Sequence, residues 1–191
     1  RANNVIAYKS PTLVGMPVTF MAAAVLSEED KDADVANTDI DEGANGYSAS
    51  LAYDQNGVYL AAGYDNNIRS SQTDSAWRLA GSVDMGKINM VPGLTLGALY
   101  QETDVADKSD DEKSWLVSGK YKIGATPWAV KAQYIDTSNQ SGVKDRDATE
   151  VALGAEYTIN KATKGHLYAA QIDTDNVSDK TIVGGGLEYK F

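Results

Sequence analysis

Apolar and polar residues alternate over stretches of about ten positions, break, and alternate again along the whole chain. A period of two belongs to an extended strand whose two faces meet different surroundings, and the pattern predicts strands over Asn4–Ser10, Pro17–Leu26, Gly46–Asp54, Val58–Asp65, Ser75–Met85, Leu94–Glu102, Ser114–Ile123, Trp128–Asp136, Thr149–Ile159, His166–Asp173 and Thr181–Phe191. No segment of helical periodicity competes with these eleven. No apolar run, Met21–Leu26 included, approaches the ~20 residues a membrane helix requires.

The breaks are of two chemical kinds that alternate along the chain. One kind is built from turn formers: PTLVGM, QNG, GKINMVPG, GATP and NKATKG. Asn56-Gly57 is a hairpin signal, because a type I′ turn needs positive φ at both central positions. All four prolines, Pro11, Pro17, Pro92 and Pro127, fall in or beside these breaks, where a missing N–H costs nothing. The other kind is acidic and expected to be longer: Ser27–Asn45, then NNIRSSQTD, TDVADKSDDEK, TSNQSGVKDRDA and TDNVSDK. Strict alternation of the two kinds places every acidic loop at one end of the sheet.

The apolar face has an unusual size profile. Tyr47 and Tyr53 bracket Ala49 and Leu51; Trp115 and Tyr121 bracket Val117 and Gly119; Trp128 and Tyr134 bracket Val130 and Ala132; Tyr157 closes the run from Val151. A soluble core places its largest rings centrally, where they bury the most area. Two belts of amphipathic rings around an aliphatic band instead match a bilayer, with ring bodies dry and polar tips wet. Strands of roughly 9 to 11 residues cross the hydrocarbon when tilted. The opposite face carries Lys, Arg, Glu, Gln and Ser, which need water. Backbone groups in lipid must all be paired, so such a sheet has to close. The expected fold is all-β: one domain, residues 1–191, forming a transmembrane antiparallel up-and-down β-barrel with the polar face inside. A soluble barrel or sandwich with one solvated face gives similar alternation, but explains neither the ring placement nor the one-ended acidic loops.

The other bulk properties exclude function classes. A formal net charge of −10 argues against a nucleic-acid partner. Cysteine is absent and His166 is the sole histidine, which leaves thiolate or imidazole metal sites and His-based catalytic triads short of residues. No enzyme, metal or cofactor is expected. Arg1 opens directly on a strand-like segment with no signal peptide, so the sequence reads as a mature form or a piece of a longer chain. Single-chain bacterial barrels have an even strand number, with the long loops outside. Eleven strands ending at the short-turn side imply that an odd number is missing upstream, so this reads as the C-terminal part of a larger barrel.

Two stretches resemble a known family. RANNVIAYKSPTLVG is similar to the strand that follows the pore loop in Gram-negative general diffusion porins, and the terminal LEYKF resembles their closing strand. The resemblance implies a sixteen-stranded barrel, of which the eleven strands here would be the sixth to the sixteenth. It further implies a trimer in the outer membrane, and passive diffusion of ions and small hydrophilic solutes. Leu187, Tyr189 and Phe191 would then be read by the outer-membrane assembly machinery. By position Arg1 is the candidate wall cation of the constriction. Lys9, Arg78, Lys120, Lys122 and Lys131 also point inward, with Glu150 among the inward carboxylates alongside Asp84, Glu156 and Glu188. Each is otherwise a solvated lumenal side chain of no special role, and the mixed signs leave the selectivity open.

A non-conducting barrel, acting as an anchor or adhesin through its acidic loops, is the alternative function. Loop Ser27–Asn45 superficially resembles a calcium loop but lacks the helices, the sixth-position glycine and the closing Glu in register. It is expected to be a solvated extracellular loop, with weak cation bridging to lipopolysaccharide phosphates as the other reading. Lipid and lipopolysaccharide are the expected surroundings. His166 is expected at the short-turn rim, as an interfacial residue.

Overall fold

In a computed structural model the described residues are 5–12, 16–26, 46–68 and 73–190. They form a single eleven-stranded sheet in which every strand pairs antiparallel with its sequence neighbours, in the order β1 to β11. The strands are β1 Val5–Lys9, β2 Val18–Val25, β3 Gly46–Gln55, β4 Val58–Asn66, β5 Ser75–Asp84, β6 Leu94–Asp104, β7 Glu112–Lys122, β8 Trp128–Ser138, β9 Ala148–Thr158, β10 Thr163–Thr174 and β11 Val177–Tyr189. The sole helical element among the described residues is a 3₁₀ turn, Gln140–Gly142. All eleven expected strands are present.

The breaks keep their alternating chemistry but not their alternating length. Residues 85–93, of the turn-former kind, outnumber the acidic residues 105–111. TDNVSDK is not a loop. β10 runs on to Thr174 and β11 starts at Val177, with Asn176 at φ 61° between them. A two-residue connection with positive φ matches the right-handed strand twist, so the hairpin zips to its tip. Asn56 (φ 54°) and Gly57 (φ 82°) form the expected tight turn between β3 and β4. At the 85–93 turn, Asp84 Oδ1 accepts hydrogen bonds from the backbone N–H of Gly86 (3.0 Å) and Lys87 (3.2 Å).

The sheet is one layer thick and has no core of its own. The buried apolar residues among those described are alanines, Ala76, Ala129, Ala148 and Ala170, and no described side chain is fully buried. Leu153 is 62% exposed, Leu167 68% and Val183 78%. Among the described residues no second sheet or helix covers them, which disposes of the sandwich. An apolar face this large requires another apolar phase. β3 to β11 have the length of strands that cross a bilayer at a tilt. No described helix is long and apolar enough to cross a membrane.

Register fixes the two faces. Tyr47, Tyr53, Trp115, Tyr121, Trp128, Tyr134 and Tyr157 all fall on one of them. Tyr64, Trp77 and Tyr100 join it and complete a belt at the acidic-loop end across β3 to β8. The belt rings touch: Tyr47 and Tyr64 have centroids 6.0 Å apart, Trp77 and Tyr100 5.1 Å, Trp115 and Tyr134 5.1 Å. Trp128 and Tyr157, 4.7 Å apart, belong to the belt at the short-turn end. Tyr100 Oη donates to Glu102 Oε2 (3.2 Å) and Tyr134 Oη to Asp136 Oδ2 (3.4 Å), so ring tips point to a carboxylate at the rim. That is the amphipathic placement a membrane interface favours.

Candidate functional site

The opposite, polar face carries the charges. Lys9, Arg78, Lys120, Lys122, Lys131 and Glu150 all lie on it, as do Asp84, Glu156 and Glu188. Arg1, Phe191 and loop Ser27–Asn45 lie outside the described residues. Leu187 and Tyr189 stand on the ring face of β11, 74% and 65% exposed.

The charges are unevenly distributed. Arg78 and Asp65 form a pair at 3.8 Å with both side chains substantially exposed, an interaction of small value. Lys122 makes no ion pair with a described residue. On β7 to β10 the charges converge. Lys120 and Lys131 face each other directly across the β7–β8 pairing. Like charges so placed repel. Glu156 lies one step toward the short-turn end, on β9, and its carboxylate takes Lys120 Nζ at 2.8 Å, Lys131 Nζ at 2.6 Å and Lys164 Nζ at 3.3 Å. The Glu156 residue is 6% exposed, whereas the three lysine side chains are 33–43% exposed. One nearly buried carboxylate thus holds three cations whose outer surfaces remain wet. Burying a carboxylate is tolerable only with such partners. The cluster keeps two positive charges beyond what Glu156 neutralises.

Around it the face is cut low by small residues. One cross-strand rung runs Lys120, Lys131, Gly154, Tyr168, Gly184 over β7 to β11. A Cβ on Gly154 would stand 3.2 Å from Leu167 O, 3.6 Å from Tyr168 Cβ and 3.9 Å from Lys131 Cβ. Tyr168 leans the other way: a Cβ on Gly184 would come 2.5 Å from its Cζ and Oη. The ring therefore lies on β11 and leaves the space over Gly154 open. On the next rung His166 pairs with Glu156 and with Gly186, and its Nδ1 is buried without a partner. His166 is the fourth residue of β10, on the polar face, rather than its first. The expectation failed because Thr163–Gly165 were read as turn. Toward the acidic-loop end, Gln133 Nε2 donates to Glu150 Oε1 at 3.4 Å.

Sequence reasoning placed Lys120, Lys131 and Glu156 on one face without bringing them together, and it omitted Lys164 and Tyr168. Both share the parity of His166, so alternation along β10 was the signal available for them.

The profile of the Gram-negative porin family matches residues 1–177. No curated protein sequence matches. Among solved structures, the anion-selective porin of Comamonas acidovorans aligns with a TM-score of 0.71 at 18% identity, over 99% of this chain and 56% of that one. A loop-deletion mutant of OmpT from Vibrio cholerae gives 0.65 at 17% identity, over 97% of this chain and 62% of that one. OmpF of Salmonella typhi, solved with daunomycin, gives 0.65 at 15%, over 97% and 61%. At these identities the likeness is one of fold, and the chain spans somewhat more than half the length of each neighbour. The uncovered ring face, the two belts and the charged opposite face are the features of an outer-membrane strand sheet, and with the profile match over most of its length the chain belongs to the Gram-negative porin family.

Proposed function

We propose that the eleven strands form part of a larger closed barrel whose polar face bounds a water-filled channel for passive diffusion of ions and small hydrophilic solutes. The observation that carries this reading is the opposition of faces: unpartnered rings and aliphatics on one side, Lys120, Lys131, Lys164 and Glu156 on the other. An open sheet edge cannot persist in hydrocarbon, so further strands are required to close it. The neighbours' extra length is consistent with that requirement. On this reading Lys9, Arg78, Lys120, Lys122, Lys131 and Glu150 line the channel, and Arg1 stands on its wall.

The two belts supply contacts to outer-membrane lipid, with lipopolysaccharide at the acidic-loop end. Leu187 and Tyr189, exposed on the outside of β11, are available to the assembly machinery together with Phe191. The assembly is a homotrimer. Reconstitution of the full-length protein into planar bilayers tests the function: stepwise current increments in KCl are expected. Correctly folded, inserted protein that leaves the membrane insulating would favour a barrel that serves as an anchor or adhesin instead.

A further inference from the structure

We propose that the gap over Gly154 is a discrete solute subsite on the polar face, shaped for a small planar organic anion; it rests on the channel reading only in that the solute reaches it through the lumen. Neighbouring strands stand about 4.8 Å apart, so Lys131 and Tyr168, two strands from each other, have Cα atoms separated by roughly 10 Å. The single residue between them on that rung is Gly154, which has no side chain. The gap is bounded on one side by Lys131, with Lys120 directly behind it, and on the other by Tyr168. Ser118, Gln133 and Glu150, whose carboxylate accepts from Gln133 Nε2, border the same recess.

Three features make this more than a space between side chains. Tyr168 is held away from the gap by lying on Gly184, where any added Cβ would collide with the ring. A side chain at 184 would push the ring back over Gly154 and close it. The lysines at the other wall carry more positive charge than Glu156 neutralises, and their Nζ atoms are fixed by that carboxylate instead of being free to roam. Glu188 pairs in register with Lys164, one rung beyond His166, but its ion pair is with Lys190, at 3.7 Å, away from the gap. A bound anion would meet fixed ammonium donors at one edge and the Cβ edge of Tyr168 at the other, over the bare backbone of Gly154, paying little ordering cost. The chemistry selected is a carboxylate on a flat ring.

Benzoate is the probe, with benzamide as its uncharged counterpart and acetate as its ringless one. Full-length, detergent-folded protein is titrated with each and followed by saturation-transfer NMR, and folding of every variant is checked by heat-dependent gel mobility. Benzoate is expected to bind about tenfold or more tightly than either control. Gly154→Leu fills the gap and is expected to abolish benzoate binding. Lys131→Gln, which leaves the gap open and keeps Lys120 and Lys164 on Glu156, is expected to weaken benzoate by about tenfold while leaving benzamide unchanged. Equal binding of benzoate and benzamide, or a folded Gly154→Leu protein that binds like wild type, overturns the subsite. Bilayer conductance is read separately: a conducting barrel indifferent to benzoate removes the subsite alone, and a non-conducting barrel that binds it in the expected pattern removes the channel alone.

Discussion

Lys131 Nζ stands 2.6 Å from Glu156 Oε2 while the same lysine faces Lys120 directly across the strand pairing. The carboxylate is what lets the two ammonium groups occupy adjacent strands. It is also the least exposed charged group of the cluster, so its loss cannot be made good by water reaching the site.

Glu156→Gln should therefore destabilise the folded barrel. The amide keeps the shape and can still accept a hydrogen bond, but three lysines lose their counter-charge, a cost of about 1–3 kcal/mol. Denaturant unfolding in detergent measures it. In a background already carrying Lys120→Gln and Lys131→Gln the same substitution should cost much less, because the repulsion it exposes is gone. Equal costs in the two backgrounds would show that the ion pairs contribute nothing.

The surplus charge of the cluster predicts an effect on ion preference. Replacing both Lys120 and Lys131 with glutamine should shift the reversal potential across a KCl gradient toward cations. The shift should shrink between about 0.1 M and 1 M salt, as the screening length falls from about 10 Å to 3 Å. A potential indifferent to the double substitution would place these side chains away from the conducting path.

Much of this arrangement was open to reading from sequence, and the part that was not has a physical reason. A period of two fixes which face a residue occupies, so the sides of Lys120, Lys131, Trp115 and Tyr134 follow from parity alone. Parity does not fix register, because sliding one strand by two residues preserves both faces. The meeting of Lys120, Lys131 and Lys164 on Glu156 depends on register, as does the placing of Tyr168 on Gly184. The β10–β11 turn was missed for a different reason. Polar residues at a barrel rim alternate no longer because both faces are wet there, and only Asn176's tolerance of positive φ marked the turn.

At the Asn56-Gly57 turn, Gly57→Ala should cost about 1–2 kcal/mol. Gly57 sits at φ 82°, and an added Cβ would come 2.6 Å from Lys87 Cβ in the neighbouring turn. Gly119→Ala is the control: its backbone is ordinary, and the nearest atom to an added methyl is Leu96 Cδ2 at 3.5 Å. Unfolding midpoints of the two variants should separate clearly. If they coincide, the positive φ is not what requires glycine at 57.

The orientation of the sheet is tested by two neighbours with opposite outlooks. Leu153 lies midway along β9 on the ring face and is 62% exposed, whereas Ala152 lies on the polar face beside the recess. An arginine at 153 would be driven into hydrocarbon near the bilayer midplane, at a cost of about 2–4 kcal/mol. An arginine at 152 would enter water and should cost less than about 1 kcal/mol. Folding equilibria of the two variants in lipid vesicles give the comparison directly, since the substitutions differ by one position on one strand and share its backbone pairing. Detergent micelles should blunt the difference, because they deform around a charge more readily than a bilayer does. Equal penalties in vesicles, or a larger one at 152, would mean that the rings and aliphatics face something other than lipid.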